Sequence, residues 1–382
     1  MENFVMYNPV KLHFGKGVTD KIGDITAEYG KRILLVYGKG SVKKNGSYDQ
    51  VTEQLKNAGL EIIEFDGIKS NPVIEDVDAA AKLGKENNID VIVALGGGSV
   101  IDSAKVISIA IKYNGPAWDF IEGKAKPVDA IPLIAVLTLA ATGTEMNATA
   151  VVQSNCLQKK AGYNTPQMFP KHSFLDPTFT QSVPRDYTAY GILDLIAHAL
   201  ENWFGQGESS LTDRFIVSII KDAMKHGPNL LEDLNNYDLR ARIMFAATCA
   251  LNGMTGWGKK SGDWGVHVIS HCLSVAYDVP HGASLSIVYP AWLKLHKNRI
   301  PERINELGTA LFGTNDVDDS IYKLEYLFKV LECPIYLKEI DLDIKKNGIY
   351  EKLLDVMQKN KVNGQVYKLT VEDYPKLLEL MA

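Results

Sequence analysis

The chain has no CxxC pair: its four cysteines, Cys156, Cys249, Cys272 and Cys333, lie far apart among 382 residues. No cysteine-based metal or redox motif is therefore expected, and the four read as buried free thiols in a reducing compartment. Long apolar runs are missing too, since no stretch reaches the ~18 residues that a membrane helix needs. The opening segment MENFVMYNPVKLHFGKG offers no basic cluster followed by an apolar run, so no signal peptide is expected and the setting is read as cytoplasmic. Charge of one sign is not in large excess. A formal net charge of -5 argues against a general attraction to nucleic acid or to anionic membranes. There is no internal repeat, no low-complexity segment and no GxGxxG fingerprint. What remains is an ordinary globular balance, 46% hydrophobic and 23% charged, in a chain long enough for two domains at roughly 150 residues each.

The first half alternates short β-branched runs with helical patterns. Arg32 to Tyr37 (RILLVY), Glu61 to Phe65, Val91 to Leu95 (VIVAL) and Ile131 to Leu137 (IPLIAVL) read as strands. Helical periodicity fills Tyr48 to Ala58, Ile74 to Asn87 and Val100 to Tyr113 between them. Strands that are apolar on both faces and separated by helices imply a parallel sheet covered on both sides. Character changes near Pro184, after which the pattern is almost entirely helical. The expected organisation is an α/β dinucleotide-binding domain over 1–184 and an all-α metal-binding and catalytic domain over 185–382, with a cleft between them.

Ligands of such sheets bind at the carboxyl ends of the strands, where the Gly-rich loops of this sequence fall. Gly96-Gly97-Gly98-Ser99 follows VIVAL directly and opens the next helix. Glycines let the backbone approach a pyrophosphate, and the unpaired N–H groups of the helix start face the anion. Asp102 and Lys105 sit on the first turn and a half of that helix; a carboxylate there also suits the helix dipole alone. The second loop, Gly38-Lys39-Gly40-Ser41, runs on through Lys43 and Lys44 without a carboxylate. Lysines there attract a 2′-phosphate where an acid would repel it, so if this loop meets the adenosine ribose the cofactor is NADP(H). The third loop, Thr138 to Glu145 (TLAATGTE), offers hydroxyls and small residues for close contact with a ribose or an amide.

Asp194 and His198 stand four apart inside a strong helical pattern, so both side chains point from one face. His267 and His271 repeat that spacing, and His281 follows in a Pro-His-Gly turn. Three of eight histidines within fifteen positions, beside an Asp-x3-His helix, point to one divalent metal. Three imidazoles and a carboxylate suit Zn(II) or Fe(II) equally. Spacing leaves open whether His267 or His271 is the ligand.

Taken together, the GGGSxxD segment at Gly96 to Asp102, the TxxxTGxE segment at Thr138 to Glu145, Leu175-Asp176-Pro177, the Asp194-x3-His198 helix, and His267-x3-His271 with His281 resemble the iron-containing (group III) alcohol dehydrogenase family, over essentially the whole chain. The GKGSVKK loop is most similar to its branch of NADPH-dependent butanol dehydrogenases and broad aldehyde reductases. The resemblance implies a dehydroquinate-synthase-like fold and an NADP(H)- and metal-dependent activity on small alcohols and aldehydes in a homodimer. It implies Asp194, His198, His267 and His281 as metal ligands and His271 as a proton relay near the substrate. It also matches Asn71, Gly97, Gly98, Ser99, Asp102, Thr138, Thr142, Asn147 and Lys160 to cofactor contacts. A metal- and NAD-dependent cyclase of the dehydroquinate synthase type is the alternative, but it needs basic groups for a phosphorylated substrate. The WGKKSGDW segment from Trp257 to Trp264 supplies two lysines and two tryptophans, which suits a small or apolar substrate better.

Overall fold

RILLVYG, VIVALG and LIAVL are buried along almost their full length, which is what a sheet covered on both faces demands of its central strands. In the computed structural model, which describes residues 1–346 and 348–382, they form the centre of a six-stranded parallel sheet. The strands are β1 (Lys11–Phe14), β2 (Arg32–Gly38), β3 (Glu61–Ile68), β4 (Val91–Gly96), β5 (Leu133–Leu137) and β8 (His172–Leu175), in the order β1-β8-β5-β4-β2-β3. A separate antiparallel hairpin pairs β6 (Thr149–Ser154) with β7 (Lys159–Asn164). Alternate residues of the central strands enter two different cores. Leu34, Val36, Ile92 and Ala94 pack with Val77, Ala80 and Ile107 on one face, and Ile33, Leu35, Val91 and Val93 pack with Val51 and Leu55 on the other.

The four expected strands and three expected helices of the first half are present, with the last strand starting at Leu133 rather than Ile131. Four short strands were not expected. β1 and β8 have only four residues each and carry His13 and His172, while the β7 sequence KKAGYN has no buried residue to show an apolar alternation.

The chain forms two compact units. One comprises Tyr7–Val183 with Leu234–Thr248. The other comprises Met1–Met6, Pro184–Asp233 and Cys249–Ala382. The switch at Pro184 coincides with the end of the α/β pattern, but Leu234–Thr248, expected in the second half, packs with the first unit. There Arg240 donates to the Leu234 and Val183 carbonyls, Thr248 donates to the buried Glu145 carboxylate, and Phe245 meets Phe14 edge-on. The second unit contains the helices Arg185–Trp203, Ser210–Glu232, Gly265–Tyr277 and His281–His296, followed by Pro301–Phe312, Val317–Val330, Ile349–Lys359 and Asp373–Met381. No helix among the described residues is long and apolar enough to cross a membrane. None of the four cysteines is in a disulfide, and Cys156 is exposed on the β6–β7 turn, contrary to the expectation that all are buried.

Candidate active site

Each half of the chemistry has its own frame. In the first unit, Gly97 caps the helix Gly98–Ala110 directly after β4. A Cβ on Gly98 would stand 2.5 Å from Thr142 Cγ2, and one on Gly97 would stand 3.1 Å from Leu139 Cβ. The first and third loops therefore touch only because glycines stand there. Beneath them lies a buried polar knot. Lys105 Nζ donates to the Thr144 carbonyl and hydroxyl (2.6 and 2.7 Å), to the Thr149 carbonyl (2.8 Å) and to Asn147 Oδ1 (3.0 Å). Asp102 accepts from the Thr144 hydroxyl (2.5 Å) and the Val151 amide (2.9 Å). Burial holds the Lys105 pKa down to about 8 and raises that of Asp102.

This knot alters what two expected cofactor contacts do. Asn147 takes hydrogen bonds from Lys105 and the Thr149 amide and donates to the Gly143 carbonyl. With Asp102 it braces the third loop from within. Lys105, the hub, was noted in the sequence only as a neighbour of Asp102. Lys160 donates to Asn71 at 2.8 Å, which brings those two expected contacts together, and Ser99 donates to the Ser70 carbonyl.

Gly38, Lys39, Gly40 and Ser41 follow β2, and Gly40 takes φ 123°, a conformation that favours glycine. Lys39 and Ser41 are exposed. Lys43, also exposed, lies over the rings of Tyr37 and Tyr48, 5.0 and 4.8 Å from their centroids. Both tyrosine hydroxyls donate to Glu64 at 2.6 Å, and those hydrogen bonds lower the Glu64 pKa. The loop has no acid of its own, but β3 brings one beside it, a pairing invisible in linear sequence.

In the second unit, Asp194, His198 and Glu201 lie on one face of the helix Arg185–Trp203. His267 and His271 come from Gly265–Tyr277. His281 was expected in a turn, but it is the first residue of the helix His281–His296, with Pro280 as its cap. The neighbouring Gly282 explains the Pro-His-Gly signal: a Cβ there would meet the Tyr190 carbonyl at 2.3 Å. Its absence lets the start of that helix lie against the Asp194 helix.

Asp194, His267 and His281 each offer a ligand atom, all within 4.8 Å of one another. His198 is beside this triad rather than in it, with its ring stacked on His267 at 4.7 Å and its Nδ1 3.4 Å from Asp194 Oδ1. His267 Nε2 and His281 Nε2 stand 3.9 and 3.7 Å from the same oxygen. Asp194 Oδ1, His198 Nδ1 and His267 Nε2 are buried without hydrogen-bond partners among the described residues. Ligands held at ~2.0–2.1 Å around a tetrahedral ion lie roughly 3.4 Å apart. Orphaned donor atoms at nearly that spacing fit a divalent metal. Burial pushes the His198 pKa down to about 4, while on His267 the effect of burial is outweighed by Asp194 and Glu201, which push it up to about 9. The pocket favours a positive charge among those carboxylates.

His271 is also buried, with its ring 5.7 Å from that of His281. Lys259 is buried in an ion pair with Asp213 at 2.7 Å, so it is not free to hold an anionic substrate. The residue that sequence reasoning missed is Glu201, whose signal is its place seven residues after Asp194 on the same helix face.

The model of the iron-containing alcohol dehydrogenases matches residues 9–177, and that of the family's carboxyl-terminal domain matches 188–381. The chain belongs to this family. It is an oxidoreductase, and its architecture is the dehydroquinate-synthase-like one that the resemblance implies. It is 38% identical to the probable NADH-dependent butanol dehydrogenase 1 of Bacillus subtilis, with 99% of each chain covered. It is 34% identical to the NADPH-dependent aldehyde reductase YqhD of Escherichia coli, with 90% of each covered. The crystal structure of NADH-dependent butanol dehydrogenase A from Thermotoga maritima superposes with a TM-score of 0.95 at 35% identity, over 100% of this chain and 99% of that one.

Proposed function

We propose that this enzyme interconverts small primary alcohols and aldehydes, of which butanol and butanal are examples, using NADP(H) and one divalent metal, Fe(II) or Zn(II). The observation that carries the reading is the triad of Asp194, His267 and His281, in which Asp194 Oδ1 and His267 Nε2 are buried without hydrogen-bond partners, in a member of the iron-containing alcohol dehydrogenases. Asp194, His198, His267 and His281 would hold the metal. When bound, such an ion supplies Lewis acidity toward the substrate oxygen. His271, buried with its ring 5.7 Å from that of His281, would carry the alcohol proton. Gly97, Gly98 and Ser99 present backbone N–H groups to a pyrophosphate, Thr138 and Thr142 line the third loop, and the Asn71–Lys160 pair adds a positive charge. Lys39 and Ser41 receive the 2′-phosphate. Relatives named as NADH-dependent and as NADPH-dependent both occur, so the preference rests on this loop.

The experiment is metal analysis of protein purified without chelators, joined to the loss of the reduced-nicotinamide absorbance on adding butanal with NADPH or NADH. Stoichiometric metal and butanal-dependent oxidation are expected. A protein without metal, or one that leaves the reduced cofactor unchanged with a series of aldehydes, would overturn the reading.

A further inference from the structure

We propose that Glu201 is a positioning residue that fixes the tautomer and aim of His267 and tunes how tightly the metal is held. The inference rests on the metal reading above. Glu201 is 1% exposed, and one oxygen of its carboxylate grips His267 twice. Oε1 accepts from the backbone N–H of His267 at 3.0 Å and lies 2.7 Å from its Nδ1. His267 is the third residue of its helix, where an N–H has no partner within the helix, so the carboxylate also caps that end and meets the positive pole of the helix dipole. The Asp263 amide donates to the Glu201 carbonyl at 3.0 Å, which ties the segment leading into the His267 helix to the Asp194 helix.

The chemical consequence lies on the far side of the ring. A carboxylate only accepts hydrogen bonds, so its bond to Nδ1 keeps a proton there. In the neutral imidazole that metal binding requires, the lone pair is then on Nε2, the atom that stands 3.9 Å from Asp194 Oδ1 without a hydrogen-bond partner. The negative charge behind the ring makes Nε2 a stronger donor to a cation, and the backbone contact stops the ring swinging away. Asp194 supplies one carboxylate directly to the ion; Glu201 supplies a second through the imidazole.

Outer carboxylates of this kind typically change metal affinity by about 10–100-fold. The test is zinc affinity, measured by competition with a chromogenic chelator, for the unsubstituted protein, Glu201→Gln and Glu201→Ala. Glu201→Gln keeps the size and an acceptor for the backbone N–H but loses the charge. It is expected to raise the zinc dissociation constant about 10-fold or more and to shift the visible absorption of the cobalt-substituted protein. Glu201→Ala is expected to weaken binding further. Variants that stay folded with unchanged zinc affinity and an unchanged cobalt spectrum would overturn the proposal, even if their thermal stability fell. A second measurement needs no variant: nitrogen NMR of histidine in the zinc-loaded protein, with His267 assigned through His267→Gln. Ligation through Nε2 with the proton on Nδ1 is expected, and ligation through Nδ1 would overturn the idea. An unsubstituted protein that binds no zinc, cobalt or iron would instead show that the metal reading itself fails.

Discussion

Lys105 Nζ donates to the Thr144 hydroxyl at 2.7 Å, and that hydroxyl in turn donates to Asp102 at 2.5 Å, all beneath the surface of the first unit. The chain of donors ties the helix that follows the GGGS loop to the third loop. Lys105→Met keeps the length of the side chain and removes the charge. Breaking one partner out of a buried pair costs about 3–5 kcal/mol, and the raised pKa of Asp102 lets it take up a proton and keeps the loss near the lower end. We expect about 3 kcal/mol in denaturant unfolding, with cofactor affinity reduced in the folded fraction. An unfolding midpoint equal to that of the unsubstituted protein would show that the knot does not carry the loop.

The metal triad predicts a split within one histidine pair. His267→Ala, like Asp194→Ala and His281→Ala, is expected to lose stoichiometric metal and nearly all turnover while circular dichroism shows a folded protein. His271→Ala is expected to keep the metal and lose rate. His198, beside the triad, is the informative fourth. His198→Ala is expected to lose metal as well, and full retention would show that only three residues of the chain hold the ion. If His271→Ala sheds metal and His267→Ala retains it, the roles are reversed.

The sheet was legible because its central strands are uniformly apolar, and the helix carrying Asp194 and His198 because a four-residue spacing puts both on one face. What stayed hidden lies in pairings between distant segments. Glu201 reads in sequence as one more acid on a helix, and only the fold sets it 2.7 Å from His267. Glu64 belongs to an exposed strand, yet it ends up holding two tyrosine hydroxyls beside the Lys43 loop. Leu234–Thr248 has the same helical periodicity as its neighbours, and periodicity does not say which core an apolar face joins. The start of a helix at His281 was masked by its proline and glycine, which serve as a cap and a point of close approach rather than a turn.

His13 and His172 meet side by side on β1 and β8, in a contact expected to respond to pH. His13 Nε2 lies 2.9 Å from His172 Nδ1, and His172 Nε2 lies 3.1 Å from the Tyr29 hydroxyl. Burial lowers both pKa values, with Lys21 and Lys11 adding to the effect on His13, and His13 and Lys11 adding to that on His172 against an opposing Glu28. The folded pKa values thus lie below the ordinary ~6.5 of the unfolded chain, so the unfolded state takes up protons first as the pH falls. The stabilising contribution is complete above about pH 6.5 and is lost as the pH falls through the folded values. Thermal midpoints measured from about pH 7 down to about pH 5 are expected to fall less steeply in His13→Gln than in the unsubstituted protein. Parallel slopes would show that the contact does not couple to folding.

The proposed NADP(H) preference is tested at the loop after β2. A 2′-phosphate carries nearly two negative charges at neutral pH, and charge-assisted hydrogen bonds to it contribute roughly 1.5–3 kcal/mol each. Lys43 is drawn over Tyr37 and Tyr48, and the Glu64 carboxylate is occupied by their hydroxyls, so Lys39, Ser41 and Lys44, all exposed, are left to meet the ribose. Two such contacts, partly screened by solvent, are expected to favour NADPH over NADH by well over tenfold in kcat/KM. Lys39→Asp replaces an attraction with a repulsion and offers the 2′-hydroxyl of NADH an acceptor, so the preference is expected to erode or reverse with metal content unchanged. Lys43→Ala, which removes a lysine already engaged with aromatic rings, is expected to alter the ratio far less. Equal use of both cofactors by the unsubstituted enzyme, or a ratio untouched by Lys39→Asp, would show that this loop does not read the ribose.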